Sequence, residues 1–198
     1  MGIRTKSVGS IALLLIILIV MAGCVKVQTG HSAEERKESS TTRAAAIQAE
    51  FAARLREADP VGKVELLSSE VRFVAGRYQE FGRQFADEWQ EAEEGRGVAV
   101  EAEEMRRMID LWIDADKPIL KAWDDNLETA LEEIKRSQVF DQRLISTATQ
   151  LLNVVYRLTS SVIYPGNTLS EYRARQADAA AEVDLEGDEL ERELYRYR

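Results

Sequence analysis

Histidine and cysteine are almost missing from this chain: of 198 residues, one is histidine, His31, and one is cysteine, Cys24. A lone cysteine excludes an internal disulfide, a Cys-x-x-Cys-His haem attachment and a cysteine-built zinc site. A lone histidine near the N-terminus leaves the remaining sequence without a Ser-His or Cys-His pair and without imidazole for a metal. It also removes the paired Glu-x-x-His motifs of di-iron bundles. Gly95-Arg96-Gly97 is not followed by Gly-Lys-Ser/Thr, so there is no Walker loop. No stretch alternates with a period of two over a useful length, which argues against strands. No repeat of 20–50 residues is present, which argues against a solenoid. What survives is carboxylate chemistry or none, so neither an enzyme nor a cofactor is expected.

Against these absences stands one long apolar run, Ile11 to Ala22, preceded by Arg4, Lys6 and Ser10. Its length suits a secretory signal core of about 7–15 residues better than a membrane span of roughly 20. Small residues Ala22 and Gly23 follow, then Cys24. The tetrapeptide Met21-Ala22-Gly23-Cys24 resembles the lipobox of bacterial lipoproteins, with Met21 where Leu is commoner. The resemblance covers the first two dozen residues only. It implies a diacylglycerol on the Cys24 thiol, cleavage just before it, and often acylation of the new amine. Val25, not being Asp, implies the outer membrane in a Gram-negative cell. An uncleaved anchor over Val8 to Val25 is the alternative. Both attach the protein to a membrane, since each buried methylene contributes about 0.8 kcal/mol. Met1-Gly2 is not a myristoylation signal, because Lys6 stands where Ser or Thr is required.

The chain carries 26 Lys and Arg against 35 Asp and Glu; without residues 1–23, which hold Arg4 and Lys6, the balance is 24 against 35, a net charge of −11. Such acidity disfavours nucleic acid and gives no general attraction to anionic lipid, so the lipid on Cys24 must do the anchoring. The expected partners are the membrane and an envelope protein.

The expected organisation is a signal peptide at 1–23, a lipidated tether at 24–42, a helical bundle at 43–182 and an acidic, partly disordered tail at 183–198. Polar residues from Gln28 to Lys37 mark the tether, although Ser32 with Glu35 offers a capping box for an earlier helix start. Ile47, Phe51, Leu55 and Ala58 predict a first helix over about 42–58. Asp59-Pro60 begins a second, to about Glu94, with Asp59 as N-cap. Leu67, Val71, Val74, Tyr78, Phe81 and Phe85 form its heptad seam, the pattern of long helices packed at shallow angles. Gly76 and Gly82 interrupt it at roughly 1 kcal/mol each relative to Ala, so either packing overrides propensity or something approaches closely there.

A third helix is expected over about 98–137, with Met105, Ile109, Trp112, Ile119, Trp123, Leu127, Ala130 and Ile134 in its stripe and a bend at Pro118. A fourth, about 140–163, carries Phe140, Leu144, Ala148, Leu151, Val155, Leu158 and Val162. Thr168 and Glu171 cap a fifth, thinner helix with Leu169, Tyr172, Ala177 and Ala180. The fold class is all-α: an up-down bundle of four to five helices built on a long antiparallel hairpin of the second and third.

Two places carry possible chemistry. Asp116 falls in the same stripe as Trp112 and Trp123, and an acid there is costly unless paired. A hairpin pivoting near Arg96 sets it opposite about Gly76, close to Arg77 and Tyr78. The plain reading is an Asp116–Arg77 ion pair filling the space Gly76 leaves. The sharper one is a pocket of Trp112, Asp116, Trp123 and Tyr78 for a small cationic ligand. The second place is the hairpin tip, where Glu91, Glu93, Glu94, Glu101, Glu103 and Glu104 gather: a solvated tip, or a docking surface for a basic partner or weakly held divalent cation. Tyr195-Arg196-Tyr197-Arg198 reads as a frayed end rather than a contact for a membrane or partner.

These features together predict a non-enzymatic envelope lipoprotein, an adaptor, assembly factor or scaffold. The alternatives are a cationic-ligand-binding lipoprotein and a carboxylate-dependent wall hydrolase, which needs two acids about 5–10 Å apart in a cleft.

Overall fold

The computed structural model describes residues 33–96 and 101–198. The chain divides into two compact units, 1–35 and 36–198, and nearly all of the described residues belong to the second. Among the described residues every regular element is helical: α1 (Ala33–Glu57), α2 (Pro60–Arg96), α3 (Ala102–Arg136), α4 (Gln142–Ile163) and α5 (Leu169–Leu194), then a 3-10 turn at Tyr195–Tyr197. The fold is the all-α bundle that the periodicity predicts.

Helix starts follow side-chain chemistry. The Gly62 N–H donates to Asp59 Oδ1 at 2.7 Å, so Asp59 caps α2 with Pro60 at the position that has no amide to satisfy. The Leu144 N–H donates to Asp141 Oδ1 at 3.0 Å, which starts α4 two residues later than Phe140. The Glu171 N–H donates to Thr168 Oγ1 at 3.2 Å, half of the expected capping box. The return bond to Glu171 Oε2 comes from the Asn167 N–H at 2.9 Å, one residue early. Helix α3 runs unbroken through Pro118.

Helices α2, α3, α4 and α5 form the bundle: each packs on its chain neighbour, α5 closes back on α2, and α2 also meets α4 across the centre. The α2 seam of Leu67, Val71, Val74, Tyr78, Phe81 and Phe85 is buried throughout, as is the α4 stripe from Phe140 to Val162. Helix α1 lies against α3, where Gln48 Nε2 donates to Asp125 Oδ2 at 2.9 Å, and buries Phe51 and Leu55.

Four expectations are corrected. Helix begins at Ala33, so residues 33–42 belong to α1 and not to a tether; Thr42 Oγ1 donates to the Glu38 carbonyl at 3.0 Å, inside helix. Ser32 lies outside the described residues. The tail is not disordered: α5 continues to Leu194 along a buried stripe of Tyr172, Gln176, Ala179, Val183, Gly187, Leu190 and Leu194. Ala177, counted in the expected stripe, is exposed. Periodicity missed the true stripe because two of its seven positions are Gln and Gly.

The last four residues are not frayed. Arg196 Nη1 pairs with Glu193 at 2.6 Å and Nη2 with Asp141 at 3.0 Å. The Asp141 N–H donates to Tyr197 Oη at 3.0 Å, Phe140 meets Tyr197 edge-on at 5.0 Å, and Arg198 pairs with Glu65 at 2.6 Å.

Finally, the hairpin register is set by Lys63–Glu133, Glu70–Asn126 and Phe73–Trp123. In that register Asp116 falls opposite Glu80, one turn from Gly76.

Candidate functional site

The four residues singled out on the hairpin do not surround one space. Trp112 packs against Phe81 and Phe85, at centroid distances of 4.2 and 5.4 Å. Trp123 packs against Phe73 and Tyr78, at 5.7 and 6.2 Å. They are three turns apart on α3, and each fills its own gap between α2 and α3. Asp116 is half-buried beside Trp112. Burial pushes its carboxyl up, while the charge of Arg43 on α1, the Trp112 indole and the charge of Arg77 pull it down.

Arg77 itself pairs with Glu80 at 2.5 Å and lies 5.1 Å from the Phe81 ring centroid. Gly76 is exposed and faces open space, with nothing within 4 Å of an added Cβ, so no ion pair fills the space it leaves. The close approach is at Gly82, against Gln176 of α5.

Two turns beyond Asp116 on α3 lies a group that the periodicity did not single out. Asp124 is half-buried, and its Oδ1 is fully buried without a hydrogen-bond partner. The nearby lysine serves the next residue instead: Lys121 Nζ donates to both oxygens of Asp125, at 2.6 and 2.8 Å. Burial, then the charges of Glu128 and Asp125, push the Asp124 carboxyl up to about 6, with Lys121 opposing.

Two other helices face this carboxyl. From α2 comes Tyr78, 1% exposed, its phenol pushed well above the ordinary range by burial and then by the Asp124 charge. From α4 comes Tyr156, whose phenol the Asp124 charge also helps to raise; Thr159 of the same helix acts on the Tyr78 phenol, pulling it down. Tyr156, one turn earlier, donates to Glu128 Oε1 at 2.9 Å; burial and this carboxylate raise its phenol too.

A signal for Asp124 does exist in the sequence. Its neighbours at i−4, i+3 and i+7 are Leu120, Leu127 and Leu131, all buried, so the acid sits in the middle of an apolar track.

Alongside, between α1 and α3, an open groove of about 460 Å³ is lined by Gln48, Asp125, Glu128, Thr129, Glu132 and Arg136. Arg136 and Lys135 answer Glu133 and Glu132, at 2.9 Å each. Among the described residues no set of three or more His, Cys, Asp or Glu is grouped to hold a metal ion, and no helix is long and apolar enough to cross a membrane.

At the hairpin tip, Glu103 pairs with Arg107 at 3.0 Å, and Gln90 Nε2 donates to Glu94 at 2.7 Å. Cys24 and the lipobox lie outside the described residues. No protein family, no curated protein and no solved structure matches this chain.

Proposed function

We propose that this protein is an envelope lipoprotein, held to a membrane by lipid on Cys24, whose helical bundle holds or positions another envelope protein without catalysing a reaction. The observation that carries the second half of this reading is the aromatic step on the hairpin. Phe73 is 52% exposed yet stands edge-on to the buried Trp123, 5.7 Å between centroids. Its exposed ring, held by the buried one, is apolar area that a partner surface could cover. Met108 and Leu111, 40% and 73% exposed on α3, add apolar surface to the same hairpin. The lipobox resemblance supports the first half.

The test is crosslinking in cells from a photoreactive residue at position 73, with and without Cys24→Ala. One reproducible protein partner, lost with the anchor, is expected. Membrane fractionation unchanged by Cys24→Ala removes the lipoprotein reading. Absence of any crosslinked protein, with the chain still at the membrane, removes the adaptor reading.

A further inference from the structure

At the corner where α4 turns into α5, an exposed tyrosine carries two arginines that no acid answers. Tyr164 closes α4, its N–H donating to the Ser160 carbonyl at 3.0 Å, and the buried Pro165 follows it. The tyrosine is nonetheless 57% exposed. The Arg106 guanidinium of α3 lies over its ring, 5.9 Å from the centroid, and Arg175 Nη2 of α5 donates to its carbonyl oxygen at 2.8 Å. Both arginines are exposed, and among the described residues neither has a carboxylate within ion-pair distance. We infer that this corner is a docking site for an acidic segment of a partner protein, which lays carboxylates on the two guanidiniums and covers the tyrosine ring beside them. The inference gives the adaptor reading a partner chemistry, and rests on that reading only for the occupant being a protein.

Neighbouring arginines show what an answered cation looks like here. Arg107, next to Arg106, pairs with Glu103 at 3.0 Å, and Arg173, on the same helix as Arg175, lies 3.6 Å from Asp87. Acids outnumber bases in this chain, so geometry and not scarcity leaves the corner pair without them. Arg175 lies against Gly166, where an added Cβ would come within 2.7 Å of Nη2, and Glu171 accepts instead from the Asn167 N–H at 2.9 Å. The bond to the Tyr164 carbonyl uses one of the five N–H groups of Arg175, and the ring contact uses none of those of Arg106. The remaining donors suit carboxylate oxygens, with which a guanidinium makes short, charge-assisted and often paired bonds. Capping of α4 accounts for Arg175 but not for Arg106. Tyrosine and arginine are also the side chains that most often dominate the energy of protein interfaces.

The setting favours a protein segment over an anionic membrane. Arg106 stands one turn into α3, close in sequence to Glu101 and Glu103, and the end of α2 brings Glu91, Glu93 and Glu94 to the same hairpin tip. A broad anionic surface that reached Arg106 would also meet this acid, and charges within about 8 Å are poorly screened at physiological salt. A short acidic segment touches the corner alone.

The experiment uses the full chain in neutral detergent at low salt, with the arginine side-chain N–H signals followed by NMR. The probes are an amidated tetraglutamate peptide, a tetralysine peptide and inorganic phosphate. Tetraglutamate is expected to shift the Arg106 and Arg175 signals together and saturably while Arg107 stays still, and tetralysine to move neither of the two. Arg106→Gln is expected to weaken tetraglutamate binding by roughly tenfold, and Arg107→Gln to leave it unchanged. Shifts as large at Arg107 as at Arg106, or an unchanged affinity in Arg106→Gln, would overturn the docking site. Phosphate that saturates both arginines at lower concentration than the peptide would overturn the protein occupant and point to a phosphate-bearing one, a lipid headgroup included. The wild-type titration decides the matter alone if the variant does not fold. Crosslinking at position 73 is read independently, so failure here and failure of the adaptor reading are distinguishable.

Discussion

Gln176 of α5 lies so close on Gly82 of α2 that a Cβ there would collide with the amide oxygen. The glycine is what lets the two helices close, and Gln176, 9% exposed, has little room to retreat. Overpacking typically costs about 1–3 kcal/mol, more than the roughly 1 kcal/mol that Ala gains over Gly in a helix. Gly82→Ala is therefore expected to lower stability by about 1 kcal/mol. In a Gln176→Ala background the same change is expected to raise it. A double-mutant cycle by denaturant unfolding checks this, and additivity of the two changes would sink it.

Gln138 follows the C-cap of α3 with φ of 54°, the left-handed conformation that glycine adopts without penalty. Gln138→Gly is expected to stabilise the protein by about 1 kcal/mol, since strain at this one residue is relieved. Equilibrium unfolding in urea measures it. No gain, or a loss, would mean that contacts of the Gln138 side chain outweigh the backbone strain.

The side chain of Glu193 is only 6% exposed and is held by Arg143 at 2.7 Å and by Arg196 at 2.6 Å. Arg196 in turn reaches Asp141, the cap of α4. Glu193→Ala leaves two guanidiniums facing each other, but both are half-exposed or more, so the cost is expected to be about 1–2 kcal/mol rather than the 3–5 of a fully buried pair. Release of Tyr195–Arg198 should accompany it, read as faster amide exchange at Asp141. Unchanged protection at Asp141 would show that the clasp is not what holds this end.

Acid should act on most paired carboxylates of the bundle in the opposite sense to Asp124. Lys63 and Arg136 hold Glu133 below the ordinary carboxylate range, Lys135 holds Glu132 there, and the Leu144 amide does the same for Asp141. Groups with depressed values contribute stability that is present above their unfolded values and lost as pH falls through the folded ones. Asp124 contributes stability that is lost as pH rises through about 6. The unfolding midpoint is thus expected to pass through a maximum on the acid side of neutrality, between roughly pH 4 and 6, and to fall on both sides. A midpoint that climbs steadily to pH 8 would contradict this.

Much of the bundle was legible from spacing alone. The α2 seam and the α4 stripe are uninterrupted apolar residues at helical intervals, and such a stripe has no stable alternative to burial. Asp59, Thr168 and the Asp59-Pro60 pair announced their helix starts because a cap is a local interaction, written within four residues. The acidic final stretch was misread for the opposite reason. Its stripe passes through Gln176, which is not apolar, and Gly187, which is a poor helix former, so neither marks a buried face in the sequence.

The candidate site divides in the same way. That Asp116 is flanked by aromatic residues can be read along one helix, and so can the roughly 16 Å of helix between Trp112 and Trp123, but which α2 rings meet each of them depends on the hairpin register. A shift of about one turn between the two helices, roughly 5 Å, is what sets Asp116 opposite Glu80 and not Gly76. The Asp124 junction needs three helices at once. Leu120, Leu127 and Leu131 mark the acid as misplaced, but Tyr78 and Tyr156, whose phenols its charge raises, are distant in the chain and come under its influence only when α2 and α4 have closed. Sequence alone determined an acidic, all-helical chain, with helix starts at Asp59 and Thr168, and one that is almost without histidine. Tertiary packing decided which carboxyl is left without a donor, because desolvation is a property of the surroundings and not of the residue.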